Sequence, residues 1–273
     1  MSATQGKDGY FLAGDDEPER LRIQAQVWEP DAEAMLERIG VMPGWSCADI
    51  GCGGVGVLGP LSHYVGTSGR VLGLDADRAL LDTAAAYTRA EGLHNVELQQ
   101  GDVREPNLPR CSFDLVHARF LLPHVESPAA VLDNMISLAK PGGTVASQEN
   151  DHSSWSFYPH CPEWTELLDL LERTFALRGD INIGRRTFHM LKEAGLQDVR
   201  IRASVHALQN GHPYMRMPVI GARAMRERMI AAGLVTDREF DTLVQAVEQA
   251  IQNPDQVQIT FTLVQAWGIR PAA

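Results

Sequence analysis

The stretch Trp45-Ser-Cys-Ala-Asp-Ile-Gly-Cys-Gly-Gly-Val-Gly56 constrains this chain most, because a short apolar strand runs into glycines and then into a helix. Gly51, Gly53 and Gly56 keep the spacing G-x-G-x-x-G, and Asp75 closes a second apolar run, Arg70-Val-Leu-Gly-Leu-Asp75, 19 residues after Gly56. Glycines let the backbone turn sharply and approach a ligand, while the following helix offers unpaired N–H groups at its positive end. An acid at the tip of the next strand suits both hydroxyls of a ribose. A nucleoside-bearing cofactor is therefore expected across the carboxyl ends of parallel strands.

The rest of the chain repeats the alternation. Strands are expected at Cys47–Ile50, Arg70–Leu74, Val96–Gln100, Phe113–Ala118 and Thr144–Gln148, with helices between them and a stop at Lys140-Pro-Gly-Gly143. That order predicts an α/β fold with a parallel sheet and right-handed crossovers. Apolar spacing from Asp15 to Ile39, broken near Pro30, predicts two helices, so residues 1–44 read as a helical lid before a domain spanning 45–273. Helical insertions are expected at about 150–180 and 210–253, both over the ligand edge. Two more strands, Val199–Val205 and Gln258–Gly268, complete the sheet.

Composition narrows the partners. With 273 residues and 44% hydrophobic content the chain can bury a full core. Its 35 acids against 24 bases, a formal charge of -11, argue against a nucleic acid partner. No apolar run is long enough to span a bilayer, and no apolar core of a signal peptide is visible, so no membrane partner is expected. Cys47, Cys52, Cys111 and Cys161 are irregularly spaced and read as reduced thiols of a cytoplasmic protein.

The glycine spacing alone also permits a nicotinamide or flavin domain. Asp49 shifts the balance: a carboxylate ending strand one would repel a pyrophosphate but suits a cationic ligand bearing an ammonium group. A plain capping role for Asp49 is the alternative. No Lys-Ser or Lys-Thr follows the glycines, and no G-x-S-x-G elbow occurs, so phosphate-loop and serine-nucleophile chemistry are disfavoured.

Asp49-Ile-Gly51-Cys-Gly53, Asp75, Gly101-Asp102-Val103, Ser112-Phe-Asp-Leu-Val116 and Lys140-Pro-Gly-Gly143 together resemble the class I S-adenosylmethionine-dependent methyltransferases. The likeness is greatest to the small-molecule group that includes ubiquinone/menaquinone-type and secondary-metabolite enzymes, and it covers roughly residues 45–149. The resemblance implies a Rossmann-like seven-stranded sheet with the last strand antiparallel. It also implies that Asp49 and Gly51 lie near the methionine part, Asp75 on the ribose, Asp102 on the adenine amino group, and Ala76 and Val103 beside the ring. Tyr10-Phe-Leu-Ala-Gly14 and Gln24 resemble the lid segment of this group, making Tyr10 and Gln24 candidate cofactor contacts, and Arg119 and Phe120 are expected along the channel to the acceptor. One departure stands out: the family more often has glycine at the position of Val55, and here Gly54 and Gly56 flank a valine.

Candidate chemistry lies at the strand tips. His124 is the first candidate base, by its near-neutral reference pKa, with packing at a helix start as the alternative. His117, inside strand four, reads as a wall residue. Glu149 at the tip of strand five is a second catalytic candidate. With Asp151 and His152 it has the spacing of a metal cluster, but no second ligand set is evident, and no metal is expected. His152, Trp155, Tyr158, Tyr214 and Met217 are candidate substrate contacts, since rings and methionines suit a planar or apolar molecule; gluing the insertions to the sheet is the equally open alternative. The expected function is methyl transfer from S-adenosylmethionine to oxygen, nitrogen or carbon of a small metabolite, as in secondary metabolism. The alternatives are an NAD(P)-dependent oxidoreductase and a non-catalytic binding protein of the same fold. A homodimer is left open.

Overall fold

A computed structural model describes residues 17–272, so Tyr10 and its motif lie outside the described residues. The first element, α1 (Glu17–Ile39), is one helix where two were expected. Ala25, Trp28, Ala32, Met35 and Leu36 form its buried face, while Pro30 falls on the exposed side. There the carbonyl deprived of its partner faces solvent, and the buried stripe carries the helix through.

The main sheet holds β1 (Ser46–Ile50), β2 (Arg70–Asp75), β3 (Val96–Gln100), β4 (Phe113–Arg119), β5 (Ala139–Asp151), β7 (Gln197–Ser204) and β10 (Thr262–Ile269), in the order β3-β2-β1-β4-β5-β10-β7. Strands β1 to β5 pair in parallel, and β10, the last in the chain, runs antiparallel to both neighbours. This is the expected Rossmann-like sheet. Helices α2 (Leu58–Val65), α3 (Arg78–Ala90), α4 (Pro128–Leu138) and α6 (Gly184–Glu193) make the crossovers. Asp77 caps α3 by accepting from the N–H groups of Ala79 and Leu80.

The two insertions hold the differences. One carries β6 (Ser156–Tyr158) and α5 (Pro162–Phe175). The other carries β8 (Ala207–Gln209), α7 (Met217–Ala224), α8 (Arg226–Ala231) and α9 (Asp237–Ile251). The final run, expected as one strand, is split: β9 (Val257–Ile259) joins a separate sheet, β6-β9-β8, and only after Phe261 does β10 enter the main one. Trp28 of α1, Trp155, Trp164, Tyr214, Met215, Met225, Met229 and Phe261 pack into one core over the carboxyl ends of the strands, distinct from the clusters on the two faces of the sheet. Among the described residues no helix is long and apolar enough to cross a membrane.

Candidate active site

A cavity of about 660 Å³ opens where the strands end. Its floor is the glycine loop. Gly51, Gly53 and Gly56 all have positive φ (71°, 58° and 56°), a conformation that strains any residue with a side chain. A Cβ on Gly56 would also clash with the carbonyl oxygen of Cys52 and with Asp49 Oδ2. The shift of the third glycine from 55 to 56 thus follows from this loop's own geometry.

Asp49 is almost wholly buried at the cavity floor. Its Oδ2 accepts from the N–H of Val57 at 3.0 Å, and its Oδ1 is 2.8 Å from His117 Nδ1. Val57 is the N-cap of α2, so the carboxylate already sits on the helix start where a pyrophosphate would bind. Asp75 is held by the N–H groups of Gly53 (2.8 Å) and Asp77 (2.9 Å). Burial raises its pKa against the lowering pull of those two donors. Asp102 is gripped by Arg104 through Nε and Nη2 and by the N–H of the same residue, which holds its pKa below the usual carboxylate range. A ligand amino group at Asp102 would share the carboxylate with that guanidinium.

The cavity brings together Gln24, Asp49, Gly51, Gly53, Asp75, Ala76, Asp102, Val103, Arg119, Phe120, His124, His152, Trp155, Tyr214 and Met217. Gln24 Oε1 accepts from Arg20 Nη1 at 2.6 Å, so α1 contributes a polar wall. Arg119 Nη2 donates to the carbonyl of Gly56 at 2.6 Å, bridging the glycine loop and strand β4. Residues absent from the sequence expectation also line it, among them Phe175, Arg178 and Phe261. Phe261 interrupts the last strand run, and its ring stacks on His152 with centroids 5.0 Å apart. Nothing in the sequence marks it, because the alternation Ile259, Phe261, Leu263 runs on through this position.

Two candidates stand elsewhere. Tyr158, in the small sheet, is exposed and outside the cavity, because β6 turns it toward solvent. Glu149 is fully buried beneath the turn that follows β4 and does not line the cavity, which corrects its expected catalytic placement. Its Oε1 accepts from Ser147 Oγ (2.8 Å) and the N–H of Leu122 (3.4 Å), while Oε2 has no hydrogen-bond partner. Burial pushes its pKa up to about 8, against the opposing pull of these donors. Asp151 is bound by Arg185 through both oxygens, so the metal-like spacing of Glu149, Asp151 and His152 does not bring three free ligands together. Among the described residues no group of three or more His, Cys, Asp or Glu could hold a metal ion.

Two imidazoles face the chamber. His124 is pushed down to about 3 by burial, and Arg20, Arg178 and Arg228 lower it further. His152 is likewise pushed down to about 3 by burial. Both are neutral at pH 7. Tyr214 lies between them and α1, and its hydroxyl accepts from Trp28 Nε1 at 2.7 Å. Indole N–H is a donor only, which leaves the tyrosine's own proton to donate elsewhere.

Comparison with known proteins agrees with this geometry. A family model described as a methyltransferase domain matches residues 47–143. The fold is that of the class I S-adenosylmethionine-dependent methyltransferases. In this methyltransferase fold the matched segment covers β1 to the start of β5, the part carrying the glycine loop, Asp75 and Asp102. The chain is similar to demethylmenaquinone methyltransferase of Lactococcus lactis, 31% identical over 143 residues that make up 52% of this chain and 57% of the relative. Nocamycin O-methyltransferase of Saccharothrix syringae is 31% identical over 120 residues, 44% of this chain and 43% of the relative. The chain spans about half the length of the curated relatives it matches. Among solved structures, phosphoethanolamine N-methyltransferase 2 of Haemonchus contortus, in complex with S-adenosyl-L-methionine, superposes with a TM-score of 0.59 at 17% identity. The match covers 96% of this chain and 59% of that one.

Proposed function

We propose that this protein transfers a methyl group from S-adenosylmethionine to a small, moderately apolar or aromatic metabolite, with oxygen as the first choice of acceptor atom. The observation that carries the reading is Asp49 on the N-cap of α2: the helix start is filled by a carboxylate, which disfavours a dinucleotide and suits a cationic donor. The cradle fits such a donor, since Gly53 and the two carboxylates Asp49 and Asp75 line the same cavity.

When bound, S-adenosylmethionine supplies a methyl group already activated on a sulfonium, so alignment is the protein's main task. Asp75, with each oxygen oriented by one backbone N–H, keeps lone pairs for the ribose hydroxyls. Arg119 and Gln24 offer donors for the methionine carboxylate. The rings of Phe120, His152, Trp155, Tyr214 and Phe261 give the same cavity rigid, largely apolar walls that order a flat acceptor. His124, held neutral, accepts a hydrogen bond from the acceptor hydroxyl and takes the proton late: an oxygen bonded to a third substituent becomes so acidic that a weak base suffices. The relatives support this reading; the nocamycin enzyme is named for O-methylation.

The test is incubation with methyl-labelled S-adenosylmethionine and a metabolite mixture, read by mass spectrometry. A labelled product supports the reading and identifies the atom. Cofactor binding without transfer across a chemically broad panel would favour a non-catalytic protein.

A further inference from the structure

A row of polar side chains, buried from Asp49 to Gln265 and half-buried at Arg202, crosses the sheet, stepping two residues along the strands between His117 and Gln148. Asp49 on β1 stands opposite His117 on β4, and Gln148 on β5 stands opposite Gln265 on β10, which in turn faces Arg202 on β7. The links are short: His117 Nδ1 to Asp49 Oδ1 2.8 Å, Gln148 Nε2 to His117 Nε2 2.8 Å, Gln265 Nε2 to Gln148 Oε1 2.7 Å, and Arg202 Nη1 to Gln265 Oε1 2.6 Å. Beyond the sheet the row grips α1. Gln265 Nε2 donates to the carbonyl of Asp31, Arg202 Nη1 to its Oδ1, and His206 Nε2 meets its Oδ2.

The two ends fix the direction of every bond between them. A guanidinium only donates, so Gln265 meets Arg202 with Oε1 and turns its amide N–H groups to Asp31 and Gln148. Gln148 therefore accepts from Gln265 and presents N–H to His117, whose Nε2 must be a bare acceptor. The ring proton is left on Nδ1, facing a carboxylate that only accepts.

We propose that His117 is a positioning residue for the cofactor. Locked as the neutral Nδ1–H tautomer by the row behind it, it donates to Asp49 Oδ1 while Val57 holds Oδ2. The carboxylate is thereby fixed in one orientation as the negative wall for the methionine ammonium. The same row anchors α1, whose Arg20, Leu21 and Gln24 line the cavity, so the floor and the cover of the cofactor site are tied through one chain of hydrogen bonds. This inference rests on the methyltransferase reading for the identity of the ligand, but not for the state of His117.

Two measurements test it. Nitrogen-15 NMR of histidine-labelled protein at neutral pH should show His117 as the neutral Nδ1–H tautomer without any cofactor; an Nε2–H tautomer or an imidazolium overturns the proposal. Calorimetry should then show His117→Leu binding S-adenosylmethionine about tenfold more weakly, the loss expected for one charge-assisted hydrogen bond. His117→Asn puts an amide N–H where Nδ1 stood and should bind within about threefold of the wild type. If the leucine variant fails to fold, the asparagine variant and the NMR tautomer decide. Equal losses in both variants at unchanged melting temperature overturn the positioning role and leave the methyltransferase reading intact. If the wild type binds no S-adenosylmethionine, that reading falls and the positioning role falls with it, while the NMR result still stands on its own.

Discussion

The two ends of the cavity are built by different physics. At the end we assign to the cofactor, a few residues close in sequence do the work: three positive-φ glycines and Asp49 set the floor, and the backbone of Gly53 and Asp77 aims Asp75. At the end we assign to the acceptor, rings from four separate parts of the chain converge, with Phe120 after β4, Trp155 before β6, Tyr214 before α7 and Phe261 between β9 and β10. One end depends on local backbone conformation and charge, the other on burial. Substitutions should therefore fail differently at the two ends, and predictions can be ordered by how sharply they separate them.

The largest effect is expected at Glu149, which belongs to the buried side. Its folded pKa of about 8 lies above the ordinary 4.5, so the folded protein holds a proton that the unfolded chain gives up. Stability from this group is complete below about pH 4.5 and is lost as pH rises toward 8, on the order of 5 kcal/mol across the window. Glu149→Gln should flatten that slope in melting curves taken from pH 5 to 8. An unchanged slope would show that Glu149 is ionised inside the protein.

Next comes Gly56→Ala, which forces a side chain into the left-handed region and onto Cys52 and Asp49. It should cost about 3 kcal/mol of stability, measured by denaturant unfolding, because strain and clash add. A neutral result would mean that the loop can relax and that backbone geometry does not set this end. Asp75→Ala should leave folding largely intact and weaken S-adenosylmethionine by about 2 kcal/mol, from lost charge-assisted hydrogen bonds. Unchanged affinity in calorimetry would remove Asp75 from the site. The smallest effect belongs to the far wall: Tyr214→Phe should raise the acceptor KM by about fivefold, roughly 1 kcal/mol, while cofactor affinity holds. A matching loss of cofactor affinity would erase the distinction between the two ends.

The same division explains what could be read from the residues alone. The meeting of Gly51, Gly53, Asp75 and Asp102 at the strand ends and the parallel run β1 to β5 were legible because they rest on local spacing and on the alternation of strand and helix. Glu149 was not: a strand tip in an open parallel sheet usually faces the crevice, but the turn at Phe120–Leu122 folds over this one. Phe175, Arg178 and Phe261 carry no local signal, since only the packing of the insertions brings them to the cavity. Pro30 misled because its exposed face hides no cost, and the polar row through His117 was invisible because it joins residues up to 234 positions apart.

Equilibrium binding of S-adenosylmethionine and of NAD(P) to the wild-type protein, measured side by side by calorimetry, tests the central claim most directly. A carboxylate seated on the start of α2 predicts micromolar binding of the sulfonium donor and none of the dinucleotide. Dinucleotide binding with no response to the sulfonium donor would contradict it.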